Sequence, residues 1–398
     1  MIIFDKVIAN RIAYETNSGY WKVGNRYFFN KADCLRYATS MKDYNVTFHF
    51  FDELYTSLNW TKEPTESIDQ LYGMRAKQLR DNYDYVMLAF TGGSDSRNMI
   101  DAFLDNNIHI DEIVTLYPTS VIEKMIHTFD RTDKSATNLM YEYTEAALPK
   151  LREVAVRSPT TKISVIDYAP VSIDIISSGN QAKLILAGTG GSPSLTGHYM
   201  LGEKMRSYAS KGRVTCVAGI DKPRLMYNNL TKEYSIHFID ISVAWGKHND
   251  MAYNGYVPNI EFFYYAKDFP ELFQKQCHVL KRFMDPIVKT EVRPKYYDKM
   301  HKNYGRYDIF QMETDFVKKI LYKGWDSSLF QAAKPTGYFY QESADWFYKT
   351  DITDKRTKDY HNGQIREMID GVDTRFIVFD NTGRPIKFVD TYTTPILI

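Results

Sequence analysis

Cysteine is scarce in this chain: Cys34, Cys216 and Cys277 are the only three in 398 residues. They are odd in number, scattered, and form no C-x-x-C, which excludes a disulfide framework and a zinc knuckle as organising features. Cys216 falls inside the apolar run Val214–Ala218 and reads as a buried, inert thiol. No run of about 20 apolar residues is present, and the start lacks the charged-then-apolar pattern of a secretory leader. The Asn45, Asn59 and Asn229 sequons therefore read as chance matches, and the chain as cytoplasmic. Charge imbalance is missing too: a net charge of +1 argues against bulk attraction to nucleic acid or to an anionic membrane, leaving only a local basic patch for such a partner. His198, His237, His248 and His278 show no metal-ligand spacing and read as structural histidines. A Walker A loop, G-x-x-x-x-G-K-[ST], does not occur.

What is present is a soluble-type balance, 44% apolar and 25% charged, with enough length for a real core. The most informative stretch is Leu88-Ala89-Phe90-Thr91-Gly92-Gly93-Ser94-Asp95-Ser96-Arg97-Asn98. An apolar strand (Tyr85–Phe90) ends in a hydroxyl, two glycines, an acid and two further hydroxyls, and a helix pattern follows at once. Strand, glycine turn and helix N-terminus make an anion site, because the first helical N–H groups are unpaired and the helix dipole favours negative charge. Glycines let the backbone approach a phosphate closely. Thr91, Ser94 and Ser96 can donate to phosphate oxygens, and Asp95 can hold Mg²⁺ or orient the loop. The competing reading is a plain Gly-Gly turn between a strand and a helix.

The surrounding pattern gives the loop a context. In the first 62 residues, Tyr20–Val23 and Arg26–Phe29 flank the Gly24-Asn25 turn pair, Asn30 caps a helix over Lys31–Met41, and a strand follows over Val46–Phe51. A helical pattern runs over Ile68–Asn82. From residue 83 strands and helices alternate, the rhythm of a parallel α/β sheet. Strands are expected at Tyr85–Phe90, Glu112–Tyr117, Ile163–Tyr168, Lys183–Ala187 and Val214–Ala218. Helices are expected at Ser96–Leu104, Lys134–Val156, Val171–Ser178 and Ser194–Ala209. The fold class is thus α/β, a doubly wound five-stranded parallel sheet, whose ligand sits beyond the carboxyl ends of the strands. Past residue 224 the rhythm fades into a hairpin around Asn228–Lys232, a helix over Phe269–Met284 with Leu272, Phe273, Cys277, Leu280 and Phe283 on one face, and a terminal hairpin. Gln274, Lys275 and Gln276 with Lys281 and Arg282 form a polar face of that helix, read as solvent-exposed or as holding an anionic substrate. Asp130–Lys134 reads as a solvated helix cap or, from its place after the second strand, as part of the substrate mouth. This gives three units: 1–62 (α+β), 63–224 (nucleotide-binding) and 225–398 (mainly helical and aromatic-rich, on the substrate or partner side).

Thr91–Ser96 resembles the SGGxDS signature of the PP-loop ATP pyrophosphatases, with Thr91 in place of the first serine. More widely, Tyr20–Thr39, Leu88–Leu104, Gly219–Arg224, Pro270–Phe283 and Phe330–Pro335 resemble asparagine-synthase-like members of that family encoded by tailed bacteriophages. The resemblance implies an adenine nucleotide alpha hydrolase-like fold, ATP and Mg²⁺ as cofactors, and adenylation of an acceptor with release of AMP and pyrophosphate. Carried onto this sequence, Asp95 and Lys222 are the catalytic candidates, with Asp95 also the metal ligand. Thr91, Gly92, Gly93, Ser94, Asp95, Ser96, Gly188, Thr189 and Arg224 would hold ATP and pyrophosphate. Adenine would lie near Ala89, Phe90, Leu116 and Tyr117. Two departures narrow the reading. Met1 is followed by Ile2, not cysteine, and the N-terminal unit is too short for a glutaminase, so nitrogen would come from ammonia, an amine or a separate subunit. The Gly188–Ser192 turn does not match the corresponding loop of asparagine synthetase. Two alternatives stay open: a PP-loop enzyme modifying nucleotides or nucleic acid, and a nucleotide-binding module without catalysis. The compartment implied is the cytoplasm, the host's if the gene is a phage's, with no membrane partner.

Overall fold

A computed structural model describes residues 1–125, 142–180, 191–240, 259–289, 309–312, 314–326, 339–340 and 344–398. The first element, helix α1 (Lys6–Thr16), has no counterpart in the sequence reading. Asp5 caps it through the Ile8 N–H at 2.9 Å, and its apolar face is thin, Ala9 and Ala13 being its buried apolar residues. Strands β1 (Tyr20–Val23), β2 (Arg26–Phe28) and β3 (Val46–His49) form an antiparallel sheet in the order β2-β1-β3, with α2 (Lys31–Met41) starting at the Asn30 cap as expected. Helix α3 (Asp52–Ser57) and helix α4 (Ile68–Asn82) follow, the latter opened by a Ser67/Gln70 capping box.

The centre is an all-parallel five-stranded sheet. Its strands are β4 (Tyr85–Phe90), β5 (Glu112–Tyr117), β6 (Lys162–Asp167), β7 (Val214–Ala218) and, after the hairpin β8 (Arg224–Asn228)–β9 (Glu233–His237), β10 (Asn259–Phe262). Four of these are the expected strands. The fifth, β10, lies past residue 224, where the alternating rhythm of the sequence fades; Lys183–Ala187, expected as a strand, lies outside the described residues. All six residues of β4 are buried, as a strand covered on both faces requires. Val86, Leu88 and Phe90 face the large core with α4 and α5 (Ser94–Asp105), whereas Tyr85, Met87 and Ala89 pack against Leu201 and Met205 of the Thr196–Ser207 helix. The expected helix over Lys134–Val156 is described only from Glu142, where a π-helical turn (Glu142–Ala147) leads into Leu148–Arg157.

A four-stranded antiparallel sheet, order β11-β8-β9-β14, adds β11 (Ile309–Gln311) and β14 (Ile396–Leu397) to the expected hairpin, and β12 (Ile377–Phe379) pairs with β13 (Pro385–Phe388) as the second one. The long Pro270–Val288 helix corrects the sequence reading twice. Phe283 is exposed, and Met284 takes its place in the core. Gln274, Lys275 and Gln276 are buried rather than solvated. Gln274 Nε2 donates to the Asn59 and Lys62 carbonyls, Lys275 Nζ to Pro64 O and to Glu63, and Gln276 Nε2 to the Tyr72 hydroxyl. The polar face caps the loop before α4, whose carbonyls have no helix or sheet partner of their own. The thiols of Cys34, Cys216 and Cys277 are buried, and burial raises the pKa of each; that of Cys216 is pushed up to about 12. Among the described residues, no helix is long and apolar enough to cross a membrane.

Two buried imidazoles carry a pH consequence. Burial pushes His361 down to about 4, and burial with the nearby Arg224 cation does the same for His237, from an ordinary value of 6.5. The native state keeps these rings neutral while the unfolded chain protonates them below pH 6.5. Stability is therefore fully present above 6.5 and is lost as the pH falls towards 4, by about 1.4 kcal/mol per pH unit for each ring. Urea midpoints measured between pH 7.5 and 4.5 should fall with that slope. His237→Gln should flatten it, and an unchanged slope would show that this ring is hydrated in the native state.

Candidate functional site

The strand order places the loop. Chain order runs β4, β5, β6 to one side of the sheet and then β7, β10 to the other, so β4 and β7 flank the point where the direction of winding reverses. Loops leaving the carboxyl ends of two such strands diverge and open a crevice. Thr91–Ser96 leaves β4 there, and Gly219–Lys222 leaves β7 beside it. Gly219 lies against the first turn of α5, where a Cβ would fall 2.8 Å from Ser96 Cα and 3.0 Å from Ser96 N. Those are backbone atoms, so only glycine lets the two loops meet.

Within the loop Gly92 has φ +84°, a left-handed conformation that glycine adopts without strain. Gly93 is the N-cap of α5 and offers no side chain, so no side-chain cap occupies the helix N-terminus. Ser96 Oγ bonds back to Gly93 O at 3.1 Å, and the Tyr117 hydroxyl at the end of β5 donates to Thr91 O at 2.6 Å. Thr91 is exposed, while Gly92, Ser94 and Ser96 are buried. Glu142, the first residue of the π-helical turn, packs over the glycines, its Cγ 3.0 Å from where a Gly92 Cβ would stand.

Lys222 and Asp95 come together across the crevice. The Lys222 ammonium is 2.9 Å from the Asp95 carboxylate and 3.2 Å from Asp221 Oδ1. Burial disfavours that ammonium, but the two carboxylates outweigh it and hold its pKa above the ordinary lysine value. The Tyr322 hydroxyl donates to Asp95 Oδ1 at 2.6 Å, and the Tyr264 hydroxyl donates to Asp95 O at 2.8 Å while accepting from Asn98 Nδ2 at 3.0 Å. Tyr265 donates to Lys222 O at 2.7 Å. Burial, then the nearby Asp95 charge, keeps the Tyr322 phenol neutral.

The remaining sequence candidates divide. Arg224 begins β8 and pairs with Asp221 at 3.2 Å, so it joins the cluster through that carboxylate. Gly188 and Thr189 lie outside the described residues. Phe90 and Tyr117 are 1% exposed within the core and Ala89 packs against the opposite helix layer, so of the four residues expected near adenine only Leu116 keeps partial exposure. Asp95 has both oxygens engaged by Lys222 and Tyr322. Each of those oxygens keeps a second lone pair, and among the described residues no group of three or more His, Cys, Asp or Glu side chains is gathered that could hold a metal. Tyr117, expected near adenine, instead holds the loop through Thr91 O. Sequence reasoning missed Glu142, Tyr264 and Tyr322, which reach the loop from distant segments.

No protein-family model matches this chain. No curated protein sequence matches it either. The fold, an α/β arrangement with a five-stranded parallel sheet, and the contacts around the β4–α5 loop are the physical grounds for a functional reading.

Proposed function

We propose that the chain is an ATP-dependent adenylating enzyme of the PP-loop kind, with the adenine nucleotide alpha hydrolase-like fold. One observation carries the reading: a glycine loop at the strand-order switch point, opening the N-terminus of α5, with a buried lysine from the neighbouring strand end 2.9 Å from its acid. The loop amides and the hydroxyls of Thr91, Ser94 and Ser96 would hold the β- and γ-phosphates. A carboxylate or carbonyl oxygen of the acceptor attacks the α-phosphorus, and the bond to the bridging oxygen breaks. Negative charge then develops on the departing pyrophosphate, and Lys222, held at the loop by Asp95 and Asp221, is the cation nearest to it. A nitrogen nucleophile displaces AMP from the activated carbon. The protein's share of the work is positioning and charge.

A second reading has an observation of its own. Each Asp95 oxygen already accepts a hydrogen bond, one from Lys222 and one from Tyr322, an arrangement also suited to a nucleotide-binding module that no longer turns over. Incubation with labelled ATP, Mg²⁺ and a panel of carboxylate acceptors and ammonia separates the two. AMP and pyrophosphate are expected. ADP as the product would sink the pyrophosphatase reading, and saturable ATP binding without products across the panel would favour the module.

A further inference from the structure

Asp95 lies in the first turn of α5, inside the loop that is read as an anion site, and an acid there is a competitor for that site. The first amides of a helix have no partner within the helix, and they and the helix dipole attract any negative group in reach, a carboxylate of the same turn included. Ser94 Oγ, a loop hydroxyl, is 3.4 Å from Asp95 Oδ1. Local preference alone would fold this carboxylate back onto the α5 N-terminus, in the place of a phosphate. Two side chains from distant segments hold it elsewhere. The Lys222 ammonium is 2.9 Å away, the Tyr322 hydroxyl donates to Oδ1 at 2.6 Å, and among the described residues no loop amide donates to the carboxylate. Tyr322 follows the Thr314–Leu321 helix, 227 residues beyond Asp95, and is itself fixed. Its amide donates to Lys318 O at 2.8 Å, the preceding carbonyl, Leu321 O, accepts from the Tyr72 hydroxyl at 3.0 Å, and its ring stacks on Tyr264 at 5.9 Å. Tyr264 in turn ties down the Asp95 backbone through Asp95 O. Tyr322 is 3% exposed, and burial, then the Asp95 charge, raises its phenol pKa well above the ordinary value, so the hydroxyl keeps its proton and stays a donor.

We propose that Tyr322 is a positioning residue of the nucleotide loop: by holding Oδ1 it keeps the loop's own acid off the α5 amides and turned to Lys222, which leaves the helix N-terminus open to phosphate. The inference rests on the adenylation reading and gives that site a working part from the C-terminal region. The effect of Tyr322 on phosphate runs entirely through Asp95. Without the hydroxyl, a charged carboxylate with one donor fewer both repels pyrophosphate and competes with it for the same amides.

The test reads binding by calorimetry and does not depend on turnover. Inorganic pyrophosphate and AMP are titrated separately, since in the adenylation reading the phosphate of AMP stands outside the loop. Tyr322→Phe deletes a single buried oxygen. Its pyrophosphate affinity should fall about tenfold, while its AMP affinity changes by less than about twofold. In an Asp95→Asn background the same Tyr322→Phe change should cost less than about twofold, because a side chain without charge neither repels pyrophosphate nor is drawn to the helix dipole. An unchanged pyrophosphate affinity in Tyr322→Phe overturns the proposal. So does an equal loss for AMP, or an equal loss in the Asp95→Asn background, since either would report a general disturbance of packing. Failure of the underlying reading looks different: the wild-type protein then binds neither pyrophosphate nor AMP, and both inferences fall together.

Discussion

Lys222→Met is expected to slow release of AMP and pyrophosphate by about 10²–10³-fold while changing ATP affinity much less. Removing a preorganised charge that faces a group gaining charge in the transition state costs rate first. Methionine retains most of the aliphatic stem, so the packing around a residue that is 5% exposed is largely kept. Steady-state kinetics with a saturating acceptor and a radiolabelled pyrophosphate readout give kcat and KM separately. A variant with a normal kcat would remove Lys222 from the clamp. Asp95 is a poorer subject for the same experiment. The sequence places it in a polar loop, where alanine should leave the fold intact. The structure puts its carboxylate between Lys222 and Tyr322, so Asp95→Ala would strip a buried ammonium of its nearer partner and confound catalysis with stability. Asp95→Asn, which keeps the shape and one acceptor oxygen while removing the charge, is the more informative change.

Asp240→Ala is expected to destabilise the protein by about 3–5 kcal/mol, the cost of breaking a buried ion pair from one side. Asp240 and Lys31 are both fully buried and lie 2.5 Å apart. Asp240 Oδ2 also accepts from Trp21 Nε1 at 3.0 Å and from Thr391 Oγ1 at 2.5 Å, and Lys31 Nζ donates further to Val389 O. The cluster joins the first sheet and α2 to the segment that follows β9 and to the C-terminal segment, so the mutation leaves an ammonium in the core and unties three parts of the chain together. Urea unfolding measures the effect. The double variant Lys31→Met/Asp240→Leu should recover a substantial part of the loss, because a neutral, well-filled core needs no partner for the charge. A loss below about 1 kcal/mol in the single variant would mean that water reaches the pair.

How much was legible in the sequence varies with the range of the interaction. Strands Tyr85–Phe90, Glu112–Tyr117 and Val214–Ala218 and helices Lys31–Met41 and Ile68–Asn82 were read to the residue, because each is an apolar period bounded by a cap or turn residue. Helix α1 was missed because its buried stripe is alanine and threonine, which scarcely departs from the background. Strand β10 was missed because a four-residue strand at a sheet edge, partly buried at three of its positions, has too little pattern to announce itself. The polar face of the Pro270–Val288 helix was misread for a related reason: glutamine and lysine look solvated until loop carbonyls are laid across them.

The chain by itself determined the βα rhythm and the glycine loop between β4 and α5. These depend on local periodicity and on residue chemistry within a few positions. The tertiary structure alone decided which strand ends are neighbours, and so made Gly219 a contact against Ser96 and set Lys222 on Asp95 across 127 residues. It also decided that Tyr264 and Tyr322 close over the acid. Contacts of that kind follow from strand order and burial, and neither quantity is written in the spacing of residues along one segment.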